Sequence, residues 1–201
     1  MKELVRHLLK NNKDEILNKS LLNCHIKGLH SIMLLDSPGK IIRMYITDVN
    51  HELYEKDALA FHPHHCDLTL HCIYNVFANH VVNFSNDHLL NPMNRYLYKS
   101  AIIVGGKGGF KFDGVDYFTK PKKTYVTQGS SIYLDADTIH NVTVPERNIS
   151  AWIVFEGKEN PLYESKAYSN KRIDKPETMD GLYIRPDYYK IVELLSSIGY
   201  M

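Results

Sequence analysis

The stretch "FHPHHCDLTL", residues 61–70, carries three histidines within four positions and then alternates apolar and polar side chains. Alternation with a period of two is typical of a β-strand, in which successive side chains point to opposite faces. His62 and His64 would then share one face, which continues through Cys66 and Leu68. The stretch predicts a strand whose inner face is a mostly apolar wall with two histidines at its mouth.

Apolar runs of strand type continue on both sides of this stretch, and Gly, Asn, Asp or Pro separate them. Nine such runs with almost no helical periodicity between them predict an all-β sandwich or barrel over residues 28–156. Residues 1–27 contain leucines and isoleucine at near-helical spacing, which predicts one helix or two short ones over residues 2–20. Residues 157–201 form the third segment, a C-terminal extension that ends in a helix beginning near Pro186.

Several segments within these limits have their own predictions. The run at residues 66–77 is interpreted as one continuous strand, and the basic "TKPKKTY" at 119–125 as a solvated turn. We expect an insertion or lid at residues 86–95, a glycine hairpin at 105–109, and a long irregular excursion over 156–180.

Composition limits the class of protein. A length of 201 residues suits one domain, and 44% hydrophobic with 23% charged residues is ordinary for a soluble globular protein. The formal net charge of +1 gives no electrostatic reason to bind nucleic acid, and the charged N-terminus lacks the apolar run of a signal peptide or membrane span. Three cysteines without a CxxC pair favour a reducing compartment. We therefore expect a cytoplasmic protein with free thiols, bound to neither nucleic acid nor membrane.

Two histidines on one strand need a third ligand from elsewhere to hold a metal ion. The segment "GSSIYLDADTIHNVTV" at 129–144 offers His140 at the start of a strand, after an Asp-rich turn. If the two segments are adjacent in one barrel, His62, His64 and His140 converge. The sequence thus predicts a metal site built from histidine nitrogens.

These two segments resemble the two motifs of the cupins, a family with a double-stranded β-helix. "HPH" at 62–64 matches the HxH of the first motif, and Asp67 matches the aspartate of a cupin subset that reads roughly HxHxxDxxxxxLxG. The second motif, G(x)5PxGxxH, is matched in spacing by Gly129, Asp135, Asp137 and His140. The resemblance implies a cupin jelly roll that holds a divalent transition metal on His62, His64 and His140, with Fe(II) favoured and Zn, Mn or Ni as alternatives. It also implies a homodimer, as many cupins are.

The sequence departs from the cupin motifs at positions that bear on the metal. The glutamate expected after HxH is absent, since Leu68 and Thr69 occupy its spacing. The fourth, acidic ligand is therefore left open. A competing interpretation takes His65, Asp67 and His140 as the two-histidine, one-carboxylate triad of a 2-oxoglutarate-dependent oxygenase. Otherwise His65 and Asp67 are possible further ligands, or residues that orient a ligand.

The sequence is compatible with two functions. The first is a non-haem iron dioxygenase-type oxidoreductase acting on a small polar molecule. Its pocket would need polar and aromatic side chains, for which the sequence offers Arg43, Tyr45, Tyr133 and Trp152. The second is a binding module that holds a small molecule without converting it. The edge strands of an open β-sandwich and the apolar stripe of the N-terminal helix also predict a homodimer.

Overall fold

The computed structural model describes residues 2–54, 60–87, 90–99, 109–159, 164–172 and 181–201. Over these ranges the chain forms three α-helices and eleven β-strands. The helices are α1 (Lys2–Asn11), α2 (Lys13–Lys19) and α3 (Tyr188–Ser197). The strands are β1 (Leu29–Ser37), β2 (Lys40–Thr47), β3 (Cys66–Tyr74), β4 (Val76–Val82), β5 (Pro92–Lys99), β6 (Gly109–Tyr117), β7 (Lys122–Thr127), β8 (Ser131–Leu134), β9 (Ile139–Thr143), β10 (Ala151–Glu159) and β11 (Lys166–Ser169).

The strands pair antiparallel in two walls. The first wall is a five-stranded sheet in the order β1-β2-β10-β3-β8. The second consists of two three-stranded sheets, β7-β4-β9 and β11-β5-β6. A short extended segment joins them, because Phe61 pairs with Tyr168 of β11 while His62 pairs with His140 of β9. This segment places the first histidine of the motif inside the second wall.

Alternate side chains of both walls meet in an apolar interior. Cys66, Leu68, Leu70 and Cys72 of β3 all belong to it, as their alternation predicts. The remaining buried members of this core come from the other strands and the flanking loops: Leu29, Leu53, Phe77, Val126, Leu134, Val142, Val144, Trp152 and Val154. The three-histidine motif therefore lies at one end of a packed barrel interior.

The three helices cover the outer face of the first wall. Val5 of α1, Ile16 of α2 and Leu195 of α3 pack in one core with β-strand residues such as Ile32 and Ile153. Asp187 caps α3 by accepting a hydrogen bond at Oδ1 from the Lys190 N–H, at 2.8 Å. Since the helices bury their apolar stripes against this wall, the chain covers that face of the sheet itself.

The predicted all-β jelly roll with terminal helices is confirmed, and the helical N-terminus is two short helices separated at Asn12. The prediction of one strand over 66–77 is wrong: Asn75 takes a left-handed φ of 58° and turns the chain from β3 into β4. Asparagine tolerates that conformation better than most residues with a Cβ. All three cysteines are free and buried.

Other differences arise where polar strands resemble loops. The basic segment at 119–125 is not a turn, because Lys122–Thr127 forms strand β7 beside β4. Within the expected excursion over 156–180, β10 continues to Glu159 and Lys166–Ser169 forms β11. The lid predicted at 86–95 ends in β5 from Pro92, and its residues 88–89 lie outside the described part of the chain. The glycine hairpin predicted at 105–109 also falls almost wholly outside it. The domain limits at residues 27 and 156 stay a prediction.

Among the described residues, no helix has both the length and the apolar character that crossing a bilayer requires.

Candidate metal centre

The pairing of His62 with His140 creates the centre. The His62 N–H donates to the His140 carbonyl at 3.0 Å, and the His140 N–H donates back to the His62 carbonyl at 3.2 Å. Residues that exchange both bonds in an antiparallel pair lie directly opposite each other, with side chains on the same face. The two imidazole centroids are accordingly 5.7 Å apart.

His64 joins this pair from the chain just beyond Pro63. Its N–H donates to the Ala136 carbonyl at 2.9 Å, which fixes the backbone against the turn between β8 and β9. Its Nε2 lies 2.8 Å from Nε2 of His140, and its ring centroid lies 4.8 Å from that of His62. One ring nitrogen from each of the three histidines lies within 4.8 Å of the other two.

Hydrogen bonds at the opposite ring nitrogen determine the tautomers of two of these histidines. Nδ1 of His62 lies 2.8 Å from the Ala60 carbonyl oxygen, and Nδ1 of His140 lies 2.6 Å from Oδ1 of Asn79. Both oxygens accept, so each Nδ1 carries the proton and donates it. Each Nε2 is then left with a free lone pair, which is the arrangement usual for histidines that ligate a metal.

Burial keeps these imidazoles neutral. Desolvation lowers the pKa of His62, and it lowers the pKa of His64 well below its usual range with help from the neighbouring histidines. Desolvation and the proximity of His62 lower the pKa of His140 to about 3. A neutral imidazole is the form that binds a metal ion, so protons compete weakly for this site at neutral pH.

The size of the cluster fits a divalent transition metal. At a metal-to-nitrogen distance of about 2.0–2.1 Å, two imidazole ligands at the right angle of an octahedral site are about 2.9 Å apart. The 2.8 Å between Nε2 of His64 and Nε2 of His140 matches that spacing. Three nitrogen donors suit Zn, Cu, Fe or Ni, and the geometry does not choose among them.

Polar and aromatic side chains line the interior beyond the histidines. Arg43 and Tyr45 on β2 lie opposite Val154 and Trp152 on β10, so all four point into the barrel. The rings of Tyr45 and Trp152 stack at a centroid distance of 5.7 Å. The guanidinium Nε of Arg43 donates to Oε1 of Glu156 at 3.1 Å. Three of the four residues predicted to bind substrate therefore share the interior with the centre.

Tyr133, the fourth, lies outside. Ile132 and Leu134 on either side of it pack in the interior, so alternation along β8 turns Tyr133 to the outer face. Its side chain is 58% exposed, and its hydroxyl donates to Oδ2 of Asp67 at 2.9 Å. The prediction that Tyr133 lines the pocket is not supported, because it assigned no face to the residue.

His65 and Asp67 are also placed away from the three histidines. Oδ1 of Asp67 accepts the Ala136 N–H at 2.9 Å, so the carboxylate pins the turn that holds His64. Nε2 of His65 lies 3.6 Å from Oε2 of Glu156. Among the described residues, His65, Asp67 and His140 do not form a group with converging ligand atoms. The alternative oxygenase triad is thus not assembled.

Two residues at this end of the barrel had no signal in the sequence. Asn79 is fully buried and holds His140, yet it lies 61 residues away in the chain. Glu156 enters from β10, where it pairs with Leu68. Only the register between strands, which no local pattern encodes, brings either residue to the site. The acidic position missing after HxH thus has a carboxylate across the strand pair from it.

Comparisons with known proteins identify likenesses of fold only. No family model matches the chain, and no curated protein matches it either. Similar solved structures include hydroxypropylphosphonic acid epoxidase from S. wedmorenis, at 10% identity and a TM-score of 0.41, over 69% of this chain and 56% of that chain. They also include a cupin superfamily protein from Desulfitobacterium hafniense DCB-2, at 8% identity and a TM-score of 0.36, over 65% of this chain and 78% of that chain. The matched region spans little more than half of the epoxidase.

Proposed function

We propose that this chain is a metal-dependent enzyme of the cupin type, a non-haem iron oxygenase that acts on a small polar molecule. The observation that supports it is the convergence of three neutral histidines, two of them with Nε2 left as a lone pair by hydrogen bonds at Nδ1. His62, His64 and His140 would hold the metal. Fe(II) bound to them would activate dioxygen, and the substrate itself would supply the electrons that reduce it.

The interior offers groups that can bind and orient a polar substrate. Arg43 is half-buried and keeps its positive charge beside Glu156, so it can donate further hydrogen bonds to an anionic or carbonyl oxygen. Burial raises the pKa of Tyr45, and its hydroxyl therefore stays protonated as a donor. Trp152 provides a flat apolar surface beside both. These side chains would hold the substrate against the centre and exclude water from it.

Metal analysis combined with oxygen consumption tests this function. The metal-free protein is reconstituted with Fe(II), and the His64→Ala/His140→Ala double variant is compared with wild type. We expect the double variant to lose one equivalent of Fe(II), because it removes two of the three ligands. The matched control is His71→Ala, which removes an outward-facing histidine bonded to Ser131 and should retain full metal content.

Oxygen uptake is then measured with small carboxylates, amines and alcohols. Uptake by wild type and none by the double variant would support the oxygenase. Equal Fe(II) in both proteins would contradict the metal site itself. Metal binding without oxygen uptake across the compounds would favour the second candidate, a module that binds a small molecule without converting it.

The same measurement separates the two metal triads considered for this chain. Asp67→Ala should keep the equivalent held by the three histidines, since Asp67 bonds Tyr133 and the Ala136 N–H instead of facing them. Loss of that equivalent in Asp67→Ala but not in His62→Ala would favour the 2-oxoglutarate-dependent triad.

A further inference from the structure

A second group of ligand atoms lies next to the three histidines, on the residues that follow His64. Nε2 of His65 lies 3.6 Å from Oε2 of Glu156, and Sγ of Cys66 lies 3.9 Å from the same oxygen. All three atoms lie within 4.8 Å of one another. We propose that His65, Cys66 and Glu156 form a second metal site, which takes Zn²⁺ with three protein ligands and one open position.

Strand pairing holds two of these ligands in place. Glu156 of β10 lies opposite Leu68 of β3, two residues beyond Cys66 on the same face. The Arg43 guanidinium donates to Oε1 of Glu156, which leaves Oε2 turned toward Cys66 and His65. Carboxylates that bind a metal are commonly oriented in this way, by a hydrogen bond to the oxygen that does not bind it.

Exposure gives the site a path from solvent. Cys66 is buried and the Glu156 side chain is only 12% exposed, whereas the His65 side chain is 53% exposed. A metal ion can therefore reach the carboxylate and the thiol from the side of His65. The thiol proton leaves to solvent when the sulfur binds.

The chemistry of the three donors points to zinc. A thiolate, an imidazole and a carboxylate are the ligands that Zn²⁺ takes, and three protein ligands leave a fourth position for water. In a tetrahedral zinc site the ligand atoms are about 3.3–3.5 Å apart. The two distances to Oε2 of Glu156, 3.6 and 3.9 Å, need to close by only a few tenths of an ångström, and the sulfur and the imidazole nitrogen lie within 4.8 Å of each other. The sulfur also distinguishes this group from the first centre, which has nitrogen donors alone.

Cobalt titration of the metal-free full chain tests the second site. Co(II) substitutes for zinc, and a bound thiolate adds a sulfur-to-cobalt charge-transfer absorption in the near ultraviolet. We expect wild type to bind two equivalents and to show this absorption. Cys66→Ser should bind one equivalent fewer and lack the absorption. Glu156→Gln, which keeps an oxygen for Arg43 but removes the charge, should weaken the second equivalent at least tenfold.

Cys72→Ser is the matched control, because Cys72 is a buried cysteine on the same face of β3. Its thiol donates to the carbonyl oxygens of Tyr74 and Asn75, so the variant should keep both equivalents and the absorption. Absence of the absorption in wild type, or its persistence in Cys66→Ser, would overturn the second site without reference to how well any variant folds.

The double variant that disables the first centre separates the two proposals. His64→Ala/His140→Ala should lose one equivalent of Co(II) and keep the near-ultraviolet absorption. If the absorption disappears with the histidines, the thiolate belongs to the first centre and the second site does not exist.

Discussion

The side chain of Asn79 links the metal centre to strand β4. Its Oδ1 accepts the Nδ1–H of His140 at 2.6 Å, and its amide lies fully buried in the barrel. This single contact selects the tautomer in which Nε2 of His140 can bind a metal. Because the pairing of β4 with β9 places Asn79 beside β9, the contact also fixes how the imidazole ring is turned. Asn79 would therefore position the proposed ligand His140 without itself being a ligand.

Replacing Asn79 should weaken metal binding. Asn79→Leu keeps the volume but removes the acceptor, so His140 loses its orientation and its preferred tautomer. We expect metal affinity to fall by about 10–100-fold, the usual effect of losing such a partner. Competition with a coloured chelator measures it for Zn²⁺ and Co(II).

Asn79→Asp provides the matched comparison, because it keeps an oxygen at the same place. Its affinity should stay within a few-fold of wild type. An Asn79→Leu protein that binds metal as tightly as wild type, with an unchanged far-ultraviolet spectrum, would show that Asn79 only fills space.

At the level of elements, the loop between α2 and β1 is attached to the barrel through His30, a buried residue at the start of β1. The Asn23 N–H donates to Nδ1 of His30, and Nε2 of His30 donates to Oδ2 of Asp48, both at 3.3 Å. These two hydrogen bonds require the neutral imidazole, since a proton on Nδ1 would repel the Asn23 N–H. The loop carries Ile26, which packs against the interior core. His30 thus attaches this loop to one end of the barrel.

This attachment predicts acid sensitivity. Burial lowers the pKa of His30, and the nearby Asp48 carboxylate only partly opposes that effect. Because the folded-state pKa lies below the unfolded value of about 6.5, the unfolded chain binds the proton first as pH falls. The contribution of His30 to stability is therefore complete above that value and is lost as pH falls below it. A tenfold difference in proton affinity between the folded and unfolded chains is worth about 1.4 kcal/mol of stability.

Urea unfolding at pH 7.5 and pH 5.5 measures this loss for wild type and for His30→Asn. The asparagine keeps a short acceptor for the Asn23 N–H but does not titrate. We expect the variant to lose less stability than wild type between the two pH values. An identical pH dependence in both proteins would assign the acid sensitivity to other groups.

At the scale of the whole molecule, two of the three hydrophobic cores found among the described residues lie on opposite sides of the first wall. One fills the barrel and surrounds the site, while the other lies between the outer face and the three helices. Leu195 of α3 is fully buried in the second of these cores. The helices therefore stabilise the sheet from behind and contribute nothing to the metal centre directly.

Truncating Leu195 should destabilise the protein without changing its metal stoichiometry. Leu195→Ala leaves a cavity between α3 and the sheet, and such changes cost about 2–5 kcal/mol. Tyr189→Ala on the same helix is the control, since that ring is 82% exposed and its loss should cost no more than about 0.5 kcal/mol. Urea unfolding of both variants decides the point, and equal stabilities would mean that α3 is not docked as described.

The homodimer remains a proposal for the whole molecule, supported by the edge strands and no longer by the N-terminal helices. The apolar stripes of α1 and α2 are covered by their own sheet, so the helices need no partner. Among the described residues, β7 stands at the end of its sheet, and its outer edge is where a second copy could pair. We expect a dimer in light scattering at micromolar concentration, unchanged when the helix surface is mutated. A monomer would contradict it.

How much of the structure the sequence alone predicts depends on how far apart in the chain the interacting residues lie. The alternation in residues 66–72 is local, so it correctly indicated the apolar face of β3, but the predicted strand was too long: β3 begins at Cys66, and His62 and His64 precede it. Strands without an apolar face were not predicted. Lys122–Thr127 is the example, because only Val126 in it is buried. A polar edge strand and a polar turn have the same composition, and only pairing with β4 distinguishes them.

The sequence by itself determined the architecture, since side-chain periodicity encodes strands and helices within a few residues of chain. It also singled out His62, His64 and His140, whose spacing resembles a known motif pair. Tertiary structure alone decided the surroundings of the site: the buried Asn79 behind His140, and the Glu156 carboxylate beside Cys66. Those contacts depend on the register between strands that are distant in the chain. Register is the cooperative outcome of packing both walls around one core, and no short stretch of sequence contains it.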